Sequence, residues 1–131
     1  MNMHGAQLNL LLAWIGILLG FISGFVLGLC FHREDWLGGY TSFKRRLYRL
    51  AHISFFGLAI MNFLFYFTAR EFSHTTSQVT IASWGFAAGA VSMPICCAIM
   101  AHQPRLRALF LIPVISLVTA GTLTLLEVTK L

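Results

Sequence analysis

Charge is what this sequence has least of. Only 10% of its 131 residues are Asp, Glu, Lys or Arg, against about 25% in an ordinary soluble domain. So few charges cannot coat a water-soluble globule. Acids are scarcest: four in all, Glu34, Asp35, Glu71 and Glu127. Each falls near the end of an apolar run, so no carboxylate sits at mid-membrane, where an ion-transport path would need one. Cysteine is sparse as well, and Cys30, Cys96 and Cys97 form no CxxC pair. All three fall toward one side of the spans described next, the reducing side, so no structural disulfide is expected. No strand–turn–helix context exists for a phosphate-cradling glycine loop. No nucleophile, base and acid can be assembled into a catalytic set, and the chain does not read as an enzyme.

What the sequence has instead is apolar length. Hydrophobic residues make up 58% of it. Four runs, about 8–31, 50–69, 79–101 and 106–128, each approach the roughly 20 residues needed to cross a bilayer as a helix. Alternating ten-residue segments of the barrel type are not seen. The fold class expected is therefore all-α: a single polytopic membrane domain over residues 1–131, four transmembrane helices in an antiparallel bundle. The stretch "MNMHGAQLN" before the first run has no Lys or Arg, so that run reads as a retained span and not as a cleaved leader.

The basic residues set the orientation. The loop 32–49 carries Arg33, Lys44, Arg45, Arg46 and Arg49, and the loop after the third run carries Arg105 and Arg107. Both lie on one side of a four-span chain; Arg70 and Lys130 are on the other. By the positive-inside rule the first side is cytoplasmic and both termini are non-cytoplasmic, in a cytoplasmic or inner membrane. The formal net charge of +5 then speaks of topology and anionic lipid, with no nucleic-acid partner implied. Within the basic loop, Gly38 and Gly39 mark a turn, and Thr41 or Ser42 caps a helix beginning "FKRRLYRL". Phe43, Leu47 and Leu50 share a face of it. It reads as an interfacial ramp, with Lys44, Arg45, Arg46 and Arg49 reaching lipid headgroups.

Glycine is the pattern that needs explaining. Gly16, Gly20, Gly24 and Gly28 recur every fourth residue in the first run. Leu against Leu gains little in lipid, so helices there associate through small residues that let backbones approach. A glycine zipper of this length predicts a helix partner, either internal or on another chain. Gly85 and Gly89 in the third run, and Ser116, Ala120 and Thr124 in the fourth, offer matching small faces. Asn62, near the middle of the second run, is expected to bond across helices.

Histidine supplies the remaining chemistry. His4 and His74 lie outside; His32, His52 and His102 lie on the cytoplasmic half. His52 and His102 are the only pair that could ligate a b-type haem axially between helices, although their depths differ by about 9 Å at 1.5 Å per residue. Met93, Cys97 and Met100 share a face that would suit Cu(I) but reads more simply as core. Pro94 and Pro113 are expected to kink their helices. The function these features favour is a non-catalytic accessory or anchoring subunit of a larger membrane complex, possibly respiratory, with no cofactor of its own. Its partners would be other membrane subunits or a second copy. A haem-carrying electron-transfer subunit is the alternative.

Overall fold

The computed structural model describes residues 4–131, with side chains from Ala6 onward; the side chain of His4 lies outside the described part. Four long helices follow one another: α1 His4–Cys30, α2 Phe43–Glu71, α3 Ser77–His102 and α4 Leu111–Val128. A short 3₁₀ turn, Trp36–Gly38, interrupts the first loop, and a longer 3₁₀ segment, Pro104–Phe110, leads into α4. All four spans are long and apolar enough to cross a membrane. Each helix runs against its sequence neighbour. Asn9 near the start of α1 bonds Asn62 in the far half of α2, and Thr76 before α3 bonds Glu127 at the end of α4.

The packing is not a closed square. α2 lies between α1 and α3, α1 also touches α3, and α4 packs on α3. One apolar core joins Phe65, Ala69 and Phe72 to Val79, Ala82, Phe86 and Ala120. A smaller one, Leu47 with Met100 and Ala101, closes the opposite end. The outward faces of α1 and α4 are apolar and open: Trp14, Phe21 and Phe25 on one, Ile115, Val118 and Leu125 on the other. In lipid this is the inexpensive arrangement, because tails solvate such side chains as well as a core does.

Several sequence expectations change. Ser42 is the N-cap of α2, its hydroxyl accepting the Arg45 N–H at 3.2 Å. From there the helix runs unbroken to Glu71, so "FKRRLYRL" forms the first two turns of one helix with the second apolar run. Its shared apolar face divides: Leu47 is buried against α3, while Phe43 and Leu50 are exposed. Pro113 occupies the third position of α4, where an N–H would have no intrahelical partner and its loss costs no bond. Pro94 is truly internal to α3 and has no N–H to give the Ala90 carbonyl. The turn between α1 and α2 relies on Gly38 and Gly39, whose φ angles of 84° and 94° suit glycine far better than any L side chain.

Candidate functional site

Three polar side chains inside the helix array bond one another across helices. Asn9, Asn62 and Ser83 meet at the junction of α1, α2 and α3, exposed by 0%, 0% and 3%. The Asn9 amide donates to Asn62 Oδ1 at 2.8 Å and to the Ser83 carbonyl at 3.1 Å. The Ser83 hydroxyl donates to Asn9 Oδ1. The Asn62 amide donates to the Leu58 carbonyl at 2.8 Å and weakly to Phe86 O at 3.5 Å. Buried amides left unpaired would cost about 1–3 kcal/mol each, so the mutual pairing fixes the register of three helices at once. Asn9 carries in its run the same signal as Asn62 in the next: one amide in an apolar stretch. Ser83 gave none, because serine is common in membrane helices.

The two histidines are assigned to different neighbours. His52 Nδ1 lies 2.9 Å from the Ser23 hydroxyl of α1, and its ring sits against Gly24. His102 Nε2 lies 2.9 Å from the Tyr48 hydroxyl of α2, one turn before His52. The two rings are thus each hydrogen-bonded to a hydroxyl of a neighbouring helix. Met100 is packed with Leu47 and Ala101, and Cys97 is fully buried. Among the described residues, no three of His, Cys, Asp and Glu gather as a metal-binding group.

The glycines fall into contacts of two kinds. A methyl placed on Gly16 would meet the Phe55 carbonyl and Ala59 Cβ at 3.1 Å. One on Gly85 would meet Ala120 Cβ at 2.9 Å and the Ser116 carbonyl at 3.0 Å. These are backbone approaches. Gly20 and Gly24 instead make sockets for the Phe56 and His52 rings, and Gly89 makes one for Leu117. Gly28, grouped with the others by its spacing, has nothing within 4 Å. At 3.6 residues per turn a step of four overshoots by about 40°, so the stripe turns about 120° between Gly16 and Gly28 and leaves α2.

The basic end of the molecule also departs from expectation. Arg45, read from sequence as a headgroup ligand, is only 2% exposed. Its guanidinium lies 4.9, 5.7 and 5.2 Å from the ring centroids of Phe31, Trp36 and Tyr40, and donates to the Phe31 carbonyl at 3.3 Å. The loop folds back through Gly38 and Gly39 and carries these rings over it. Cation–π attraction replaces a carboxylate partner. Lys44 and Arg46 remain exposed, and Arg49 is half-buried with its guanidinium over Tyr40 at 4.9 Å.

Along α2 runs an apolar groove between α1 and α3. It consists of two adjoining recesses of about 280 and 290 Å³ that share Phe55 and Pro94. The first is lined by small and aliphatic residues, including Leu12, Gly16, Ala59 and Ala90. The second adds the polar edge of Ser23, Tyr48 and His52. Together they reach the size of small-ligand sites, roughly 300–1,000 Å³. No family model matches this chain, and no curated protein or solved structure matches it either.

Proposed function

We propose that this chain is a non-catalytic subunit of a larger assembly in a cytoplasmic or inner membrane, with both termini non-cytoplasmic and its basic end in the cytoplasm. The observation that carries the reading is the position of α4. Its main helix neighbour is α3, whereas α1 packs on both α2 and α3. A helix in a finished bundle commonly has two flanking neighbours, and a partner chain would supply the second. The Asn9–Asn62–Ser83 node and the Ser23–His52 pair support the same reading, since they bond one helix to another. The seven-to-two division of Lys and Arg between the two ends supports the orientation.

Extraction in mild detergent followed by native electrophoresis tests the subunit reading. The 14.6 kDa chain is expected to migrate with partners, and exposed α4 positions such as Val118 are expected to cross-link to them. A clean monomer under gentle extraction would overturn it. Reporter fusions at Leu131 and within residues 38–41 are expected to lie on opposite sides of the membrane. The purified chain is expected to be colourless; a Soret band abolished in both His52→Ala and His102→Ala would replace this reading by electron transfer.

A further inference from the structure

We propose that the groove between α1 and α3 is a binding site for one anionic phospholipid, with an acyl chain along the two recesses and the phosphate at Lys44. The inference stands apart from the subunit reading. It begins with a polarity gradient. The recess beside Gly16, Ala59 and Ala90 has no polar side chain in its wall, whereas the recess beside it ends on Ser23, Tyr48 and His52. The apolar part lies deep and the polar part lies toward the basic end, which is the order of a lipid from tail to head.

Dimensions favour a chain over a helix. From Tyr48 to Ala59 the groove follows α2 for about 16 Å at 1.5 Å per residue. Phe55 and Pro94 divide it at mid-length. A helix about 10 Å across would not enter either recess, while an extended hydrocarbon can pass over the divide. The floor is low because Gly16 and Ala59 meet there and Ala90 adds only a methyl.

Charge then selects the head. The groove residues of α2, Tyr48, Ala51, His52, Phe55 and Ala59, form one helical stripe, and Lys44 continues it one turn toward the basic end. Lys44 is exposed and makes no ion pair among the described residues. Arg33 at that end is drawn to Asp35 at 3.8 Å, and Arg45 is enclosed by rings. Arg46 is exposed as well, but two residues from Lys44 it points to the other side of α2. Lys44 is the exposed cation on the groove's own stripe and meets a phosphate at the mouth, with the Tyr48–His102 pair at the level of the glycerol esters.

The test is lipid retention. The full chain is reconstituted in vesicles of equal phosphatidylglycerol and phosphatidylcholine with matched acyl chains, extracted in mild detergent and weighed by native mass spectrometry. One phosphatidylglycerol per chain is expected to survive extraction in preference to phosphatidylcholine. Lys44→Gln is expected to cut that preference roughly fivefold, the worth of one lysine near an anionic surface. Ala90→Phe, which fills the deep recess, is expected to lose both lipids. Because that variant could disturb folding, the surface variant Lys44→Gln decides alone if Ala90→Phe loses helix content. Equal retention of the two lipids by the parent chain, or phosphatidylglycerol retention unchanged in Lys44→Gln, would overturn the proposal.

Discussion

The seam between α1 and α2 and the seam between α3 and α4 hold two helices together by different means. Both use glycine. The first adds side-chain hydrogen bonds along its length: Asn9 to Asn62 toward one end, Ser23 to His52 farther along, and Arg45 to the Phe31 carbonyl at the other end. The second has its strong bonds at one end, where Glu127 accepts from Thr76 at 2.9 Å and Lys130 donates to Gln78 at 3.1 Å. At its other end the Cys96 thiol makes a weak contact to Leu109 O at 3.4 Å. Between those ends α4 is held by the approach of Gly85 to Ala120 and of Gly89 to Leu117. Several weak polar bonds give redundancy, whereas close packing concentrates the stability at one or two points.

Gly85→Leu should therefore do the most damage. The atoms in its way are the Ser116 carbonyl and Ala120 Cβ, which move only if α4 moves. We expect a loss at the upper end of the roughly 1–3 kcal/mol typical of overpacking, read as a fall in unfolding midpoint in detergent, with α4 freed first. Gly20→Leu meets a Phe56 ring that can swing outward, so its loss should be smaller. Equal losses in the two variants would break the comparison.

Asn62→Leu comes next. It leaves Asn9 short of one acceptor, while Ser83 still engages Asn9. A destabilisation of about 1–2 kcal/mol is expected, in line with interhelical bonds in membranes, and Asn9→Leu combined with it should cost less than the sum of the two. Strict additivity, measured in a double-mutant cycle, would show that the polar node is not one unit. Gly38→Ala follows, at about 1 kcal/mol for forcing an L residue into positive φ, with the Arg45 cage loosened as its consequence.

The smallest effect should have the opposite sign. Gly57 and Gly121 have no atom within 4 Å of a would-be Cβ. Gly57→Ala and Gly121→Ala are expected to stabilise slightly, by up to about 1 kcal/mol from helix propensity. A destabilisation in either would mean that its face is covered by something outside this chain, which would sharpen the case for a partner.

The spans were legible because lipid imposes one simple demand, unbroken apolar length, and α1 to α4 each meet it. Spacing was less informative. Gly16 through Gly28 look equivalent in sequence, but the mismatch between four residues and 3.6 lets only the first three reach α2. Arg45 was misread because a run of cations gives no hint which one turns inward. That depends on the loop path set by Gly38 and Gly39 and on where it brings Trp36 and Tyr40. The groove was invisible because it is lined from three helices by residues that look like core or surface in any one of them.

The junction of Asn9, Asn62 and Ser83 has a consequence for how the chain is made. Helices enter a membrane in the order in which they are synthesised. When α1 and α2 are in place, Asn9 and Asn62 can already satisfy each other, so the first hairpin does not carry a bare amide in hydrocarbon while the rest is awaited. Ser83 and the carbonyls of α3 complete the set on arrival, and α4 docks onto a scaffold whose polar debts are settled. Ser83→Ala should accordingly spare the hairpin and be felt only after the third helix has joined. An Asn9 variant should instead disturb the chain from its second helix onward, a difference that stalled nascent chains of increasing length would display.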